Sequence, residues 1–186
     1  MKRLLSLVIV LVLIIPASGF ADNFSKTASS VTPIESKDYL TSTEDFMFYF
    51  NFYGALFASG HELSIKNAYE YSKTQNWILF KTIFNDCEIL SLDLSADAKN
   101  VNSIHCTWSK GVRGADNYLD DFLQMLMETL LACGMNLDSI SLLFTHFGEQ
   151  YTFNVGDNGE MTIDGINISY KVTSYTGVTF VIKRSQ

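Results

Sequence analysis

The stretch that decides the fold runs from residue 88 to residue 109 and reads EILSLDLSADAKNVNSIHCTWS. Apolar and polar side chains alternate on both sides of a short polar loop at residues 97–99. This is the pattern of two half-buried strands joined as an antiparallel hairpin, and we predict strands over Glu88–Ser95 and Val101–Ser109. One face of the hairpin is apolar and carries Leu90, Leu92, Leu94, Ile104, Cys106 and Trp108.

The other face of the hairpin carries hydroxyl, carboxylate and imidazole groups. The predicted register places Ser91 opposite His105 and Asp93 opposite Ser103. Serine, histidine and aspartate are the residues of a hydrolase triad, but a serine in mid-strand on an open sheet lacks an oxyanion hole and a pocket that excludes water. We therefore interpret the polar face as a binding surface without catalytic residues. The predicted binding residues are Trp77, Ser91, Asp93, Ser103, His105 and Thr107.

Upstream of the hairpin, the sequence predicts a helix followed by two strands. Thr41 and Glu44 form a Thr-x-x-Glu capping box, and Gly60 ends the helical spacing that follows it. The aromatic residues at that spacing are Phe46, Phe50, Tyr53 and Phe57. We interpret them as a core face rather than as the wall of a lipid or cofactor groove. A period of two then predicts strands over Leu63–Tyr71 and Trp77–Phe84.

Downstream, a second helix is predicted between the linker Lys110–Gly114 and Gly134, with Asp116 or Asn117 as its cap. Its inward residues are Phe122, Met125, Leu126, Thr129, Leu130 and Cys133. We assign no element to Leu137–Phe147. Four strands follow, near Tyr151–Val155, Glu160–Ile163, Ile166–Tyr175 and Val178–Arg184.

The element order is a helix with four strands, occurring twice. Residues 55–60 (ALFASG) are similar to residues 129–134 (TLLACG) at the end of the second helix. We predict an α+β domain over residues 41–186, made of two α-β4 repeats at about 41–110 and 115–186. The repeats form one long antiparallel sheet with the helices packed on one face.

This element order resembles the β-lactamase inhibitor protein family, and more loosely the saddle of TATA-binding-protein-like folds. The resemblance covers most of residues 41–186 and rests on element order alone. It implies a curved sheet whose open face or loops grip another protein. The paired cysteines that act as staples in those inhibitors are not matched in this chain, and we carry over no functional residue.

The N-terminus has the three zones of a secretory signal peptide over residues 1–21. Lys2 and Arg3 are followed by the apolar run Leu4–Ile15, by Pro16, and by small residues with predicted cleavage after Ala21. The apolar run is shorter than the ~20 residues of a spanning helix, which favours a cleavable signal over the alternative of an uncleaved anchor. We predict no membrane span after signal cleavage. We interpret residues 22–40, which are polar, as a flexible lead. A secreted or extracytoplasmic protein is expected.

Charge and cysteine content exclude several classes of function. The chain has a net charge of −7, and removal of the signal makes it more negative, which disfavours nucleic acids and anionic membranes. No spacing typical of a metal site or of a phosphate-binding loop occurs, so we predict no metal and no cofactor. The hairpin register keeps Cys87 and Cys106 apart. We predict three free, buried thiols, with a bridge between Cys106 and Cys133 as the alternative.

Together these observations predict a secreted, non-enzymatic binding or inhibitor-like module. Its partner would be an extracellular protein or other extracellular ligand, held by the open sheet face and the hairpin loops. Two alternatives remain open: a secreted enzyme of unrecognised class, and a structural component of the cell envelope that associates through strand edges.

Overall fold

A large antiparallel sheet with helices on one side forms the framework of the protein. The computed structural model describes residues 39–64, 69–73, 77–84, 87–109, 119–148, 154–173 and 177–185. Its elements in chain order are β1 (Thr41–Ser42), α1 (Thr43–Phe57), β2 (Tyr69–Lys73), β3 (Trp77–Phe84), β4 (Glu88–Ser95), β5 (Asn100–Trp108), α2 (Leu119–Ala132), α3 (Leu137–Gly148), β6 (Asn158–Ile163), β7 (Ile166–Thr173) and β8 (Gly177–Arg184). The predicted α+β class is confirmed.

Seven strands form the sheet in the order β2-β3-β4-β5-β8-β7-β6, and every adjacent pair is antiparallel. The two-residue strand β1 pairs with the first two residues of β5. Along this seven-strand order, paired strands are consecutive in the chain except β5 and β8, which join the strands before α2 to the strands after α3. This central pair makes the two halves of the chain one continuous sheet.

The central hairpin has the predicted register. Leu90 lies opposite Cys106, and Asp93 lies opposite Ser103. Strands β3 and β4 have their predicted bounds, whereas β5 begins and ends one residue before the prediction. The connecting turn is closed by a 2.8 Å hydrogen bond from the Ala98 amide to the Ser95 carbonyl, and Ala98 takes a positive φ of 58°.

The helices cover the apolar face of the sheet, as predicted. Ring contacts join each helix to a strand beneath it, with Phe50 of α1 against Phe84 of β3 at 6.3 Å and Phe122 of α2 against Trp108 of β5 at 6.4 Å. The core between the layers includes the fully buried side chains Phe46, Leu90, Ile104, Met125, Leu126, Leu130, Leu143, Phe147, Ile168 and Phe180. Burial of this apolar area is the main force that holds helices and sheet together.

The N-cap of helix α1 lies one residue after the predicted one. Thr41 pairs with Val101 in the sheet, so its backbone is committed to a strand and Ser42 becomes the N-cap. The Ser42 hydroxyl accepts a 3.0 Å hydrogen bond from the Asp45 amide and donates to the Asp45 carboxylate at 2.7 Å. At the other end, Ala58 is the C-cap and adopts the left-handed conformation with φ of 52°, so the helix ends at Phe57, three residues before Gly60.

The strand predicted to begin at Leu63 starts later. The side chain of Asn51 bonds both the amide and the carbonyl of Leu63, at 2.7 Å and 2.8 Å, and thereby takes the groups that a strand ladder would need. Residues 65–68 lie outside the described residues, and β2 begins at Tyr69.

The two α-β4 repeats are not confirmed. Leu137–Gly148 is a helix whose first turn is capped by Asn136, which accepts a 2.8 Å hydrogen bond from the Ser139 amide. Of the strand expected near Tyr151–Val155, the described residues are 154 and 155, and neither is in a strand. Within the described residues the second half therefore has two helices and three strands. The predicted helix cap at Asp116 or Asn117 lies outside the described residues.

Candidate functional site

The face of the sheet opposite the helices, called the open face below, carries three rows of directly opposed residues. The first row, from β3 to β6, is Lys81, Ser91, His105, Val181, Ser169 and Glu160. The second row is Leu79, Asp93, Ser103, Lys183, Asn167 and Thr162. The third row is Ile83, Ile89, Thr107, Thr179, Lys171 and Asn158.

A hydrogen-bonded cluster lies at the centre of the open face, and we call it the surface cluster. The Ser103 hydroxyl donates to Oδ2 of Asp93 at 2.5 Å, and the same oxygen lies 3.3 Å from Nε2 of His105. The hydrogen bond from His105, opposed by burial and supported by Ser103, lowers the pKa of the Asp93 carboxyl. Asp93 is therefore a stable anion that orients both neighbours.

The geometry of the surface cluster does not match a hydrolase triad. Ser103 and Asp93 both approach Nε2 of His105, at 3.4 Å and 3.3 Å. A triad needs the serine on one ring nitrogen and the carboxylate on the other, because a single nitrogen cannot accept the serine proton while it donates to the carboxylate. Ser91, opposite His105 in the register, forms no hydrogen bond with Asp93, Ser103 or His105, all of which lie in the described part of the chain. The arrangement supports polar recognition rather than acyl transfer.

Five of the six predicted binding residues are thereby brought onto one partly exposed surface. The side chains of Asp93 and His105 are 33% and 36% exposed, and Ser91, Ser103 and Thr107 are half-buried. Thr107 shares a 3.1 Å hydrogen bond with Thr179 of β8. The backbone of Trp77 pairs with Ser95, and its side chain lies outside the described part. No described helix packs on this side of the sheet.

The open face differs in charge from the rest of the protein. Its three rows contain Lys81, Lys171 and Lys183 but only two carboxylates, Asp93 and Glu160. The chain as a whole has a net charge of −7. The described open face is therefore slightly basic on an acidic protein, which favours the approach of an acidic surface.

A second polar group, which the sequence analysis missed, lies in the core. His61 follows α1 and places Nδ1 at 2.8 Å from Oε2 of Glu128 and Nε2 at 3.0 Å from Oε2 of Glu88. Both carboxylates are fully buried, and the ring of His61 also packs against Phe84. We call His61, Glu88 and Glu128 the buried ion cluster. It joins the end of α1, the start of β4 and the middle of α2.

The buried ion cluster holds a positive charge on its imidazole. Burial alone lowers the pKa of His61, but the hydrogen bonds to Glu128 and Glu88 outweigh it and raise that pKa to about 9. An imidazolium donates from both nitrogens, which matches a carboxylate at each end. Since the side chain of His61 is 2% exposed, a substrate has no access to it. We therefore interpret the buried ion cluster as a contribution to the stability of the fold.

The three cysteines are free thiols, as predicted. Cys87 and Cys106 are buried and Cys133 is half-buried. Burial raises the pKa of Cys106 to about 12, and burial together with the neighbouring Cys106 raises the pKa of Cys133. Their raised pKa values keep Cys106 and Cys133 protonated and chemically inert near neutral pH. Among the described residues no group of three or more His, Cys, Asp or Glu side chains is placed to hold a metal ion.

Helix α1 also presents a stripe of apolar residues to solvent, which we call the outer stripe. It consists of Phe48, Tyr49, Phe52, Ala55 and Leu56, all exposed. This stripe is distinct from the aromatic residues of the predicted core face, of which Phe46 and Phe50 are fully buried. The helical spacing in the sequence identified the buried side of α1 only. The exposed side of this helix is apolar as well.

None of the described helices is both long enough and apolar enough to span a membrane.

Comparison of the chain with protein-family models, with curated proteins and with solved structures finds no match.

Proposed function

We propose that this chain is a secreted, non-enzymatic binding module that recognises a protein partner through the open face and its flanking hairpin turns. The observation that carries the proposal is the surface cluster of Asp93, Ser103 and His105, partly exposed at the centre of a sheet face on which no described helix packs. Buried polar groups hold a fold together, whereas partly exposed and pre-oriented ones are available to a ligand.

The dimensions of the open face fit a protein rather than a small molecule. Seven strands spaced about 4.8 Å apart and about eight residues long give a surface of roughly 29 Å by 26 Å. That area, about 750 Å², is close to the ~800 Å² that one partner contributes to a standard protein–protein interface. Small-molecule sites are concave and enclose their ligand. A broad sheet face supports recognition of a second folded surface.

The chemistry of the face indicates what the partner presents. Ser91, Thr107 and Thr179 offer hydroxyls that both donate and accept hydrogen bonds. Lys171 and Lys183 are exposed cations at the β7–β8 side. A flat partner surface with carboxylates and backbone acceptors would complement this combination.

The test is capture of a partner by the immobilised protein from the medium of the producing organism. Ser91→Glu places a negatively charged side chain in the first row opposite His105. Because this charge repels the carboxylates of an acidic partner, we expect it to lower partner affinity at least tenfold. The matched control is Thr145→Glu on α3, where the side chain is exposed on the helical side. Far-UV circular dichroism checks that both variants fold.

Equal capture by Ser91→Glu and by the wild type would overturn the proposal. So would capture that is lost with Thr145→Glu and kept with Ser91→Glu, since the binding surface would then be on the helical side. Recovery of no partner by the folded wild-type protein would count against it as well.

A further inference from the structure

Four of the seven large hydrophobic side chains that are exposed in the described part of the chain belong to the outer stripe of α1. Phe48 is 63% exposed, Tyr49 40%, Phe52 43% and Leu56 62%. No Asp, Glu, Lys or Arg occurs from residue 46 to residue 60. Contiguous apolar surface of this kind on a soluble domain marks a contact site, because its exposure to water is unfavourable.

The spacing of the stripe makes it complementary to itself. Its residues lie at positions −4, −3, 0, +3 and +4 relative to Phe52. When two such helices pair antiparallel about a two-fold axis at Phe52, each Phe48 meets Leu56 of the second copy. Each Tyr49 then meets Ala55 of the second copy, a large side chain against a small one. This alternation of sizes is how facing helices interdigitate.

The charges at the ends of α1 select the same orientation. Glu44 and Asp45 begin the exposed side of the helix, and Ser59 and Gly60 follow its C-terminus, with the exposed Glu62 two residues beyond. Antiparallel pairing places Glu44 and Asp45 of one helix opposite Gly60 and Ser59 of the other, which carry no charge. Parallel pairing would place carboxylates against carboxylates, which is unfavourable. Because two copies of an acidic protein repel one another, an uncharged surface is where they can approach most closely.

We infer that the outer stripe is an isologous interface at which a second copy of this chain docks with α1 antiparallel to α1. The four large side chains expose about 100 Å² each, given the ~150–250 Å² of a whole aromatic side chain. Their pairing buries about 800 Å² in total, which is below the ~1,200 Å² at which stable interfaces begin. The dimer is therefore reversible and depends on protein concentration.

The interface lies on the helical side of the sheet, so it leaves both open faces free and directed away from one another. A dimer would hold two copies of the open face, and binding to a partner with repeated sites would gain from this bivalency. The dimer itself does not require the proposed function, since it is formed by a different surface.

Sedimentation equilibrium of the purified protein between about 1 and 200 µM tests the inference. The wild type is expected to shift from monomer to dimer across this range. Leu56→Ser and Phe52→Ser are expected to weaken dimerisation at least tenfold; Leu56 is so exposed that its replacement leaves the fold intact. The matched control is Leu142→Ser on α3, which removes another leucine that is 54% exposed and should leave the dimer unchanged.

A cysteine at the two-fold axis gives a second and independent readout. Phe52→Cys should form an intermolecular disulfide under mild oxidation, because both copies place this residue at the axis. Leu142→Cys should not.

Three results would overturn the inference. The first is a monomer at all concentrations, and the second is a dimer that Leu142→Ser weakens as much as Leu56→Ser does. The third is binding to phosphatidylcholine vesicles that Leu56→Ser abolishes while the protein stays monomeric, which would assign the stripe to a lipid surface.

Discussion

In the core of the protein, Nδ1 of His61 lies 2.8 Å from Oε2 of Glu128, and both side chains are almost completely buried. The second ring nitrogen of His61 faces Glu88 at 3.0 Å. One cation is thus shared by two anions that come from a strand and a helix. Removal of the cation would leave two carboxylates facing each other in the protein interior.

The stability of the protein should depend on pH through His61. His61 has a pKa of about 9 in the folded chain, against 6.5 for an unperturbed imidazole. Because the folded value is raised, the stabilisation is fully present below pH 6.5 and is lost as the pH rises through about 9. This difference is worth about 3 kcal/mol. The urea concentration at the midpoint of unfolding should fall for the wild type as the pH rises from 6 to 10. It should fall less for His61→Gln, which has no imidazole to titrate. If the midpoints of the wild type and of His61→Gln change with pH in the same way, the pH dependence does not come from His61.

A second prediction follows from the ratio of two anions to one cation. Glu128→Gln leaves His61 paired with Glu88, and the amide oxygen can still accept from Nδ1, so we expect a change of less than about 1 kcal/mol in the free energy of unfolding. His61→Ala leaves two buried carboxylates without a cation and should cost about 3–5 kcal/mol. Chemical denaturation at pH 7 measures both. Similar losses for the two variants would contradict this reading of the cluster.

Replacement of Gly54 by alanine should destabilise the protein, although alanine favours a helix more than glycine does. A Cβ at this position of α1 would overlap the carbonyl oxygen of His61. Gly54→Ala should therefore destabilise the protein by about 1–3 kcal/mol, through displacement of the chain that carries His61. Propensity alone predicts a gain of about 1 kcal/mol for the same change. Ala55→Gly, at the next and exposed position, is the control and should cost only about that amount. Thermal denaturation of both variants decides between the two effects.

The surface cluster should matter little for stability. Asp93 and His105 are about a third exposed, and solvent screens ion pairs of this kind. His105→Ala and Asp93→Asn should each change the free energy of unfolding by less than about 1 kcal/mol. Because the pKa of Asp93 is lowered, its small contribution to the free energy of unfolding is present at neutral pH. That contribution disappears as the pH falls below the usual range of an aspartate. A loss of 3 kcal/mol or more at pH 7 would show that these residues serve the fold.

The central hairpin could be predicted in detail because its information is local. Alternation along Glu88–Ser95 and Asn100–Trp108, with a short turn between them, is enough to set the register. That register in turn brings Asp93, Ser103 and His105 together. Helix α3 remained unassigned because Leu137–Gly148 is short and its cap, Asn136, is a common turn residue.

The buried ion cluster could not be predicted, because Glu88 and Glu128 lie 27 and 67 residues from His61 in the sequence and no spacing rule relates them. One signal was present in the sequence. Glu88 and Glu128 occupy positions whose neighbours on the same face are apolar, and a buried carboxylate needs a partner. The choice of His61 as that partner depends on how α1 packs on α2, which is tertiary information.

Site-specific photo-crosslinking tests the proposed binding role of the open face most directly. Ser91→Cys, labelled with a thiol-linked photo-crosslinker and exposed to the medium of the producing organism, should give one discrete adduct with a protein partner. The same label at Thr145→Cys should give none. Absence of an adduct from position 91, or equal adducts from both positions, would contradict the proposal that the open face holds the partner.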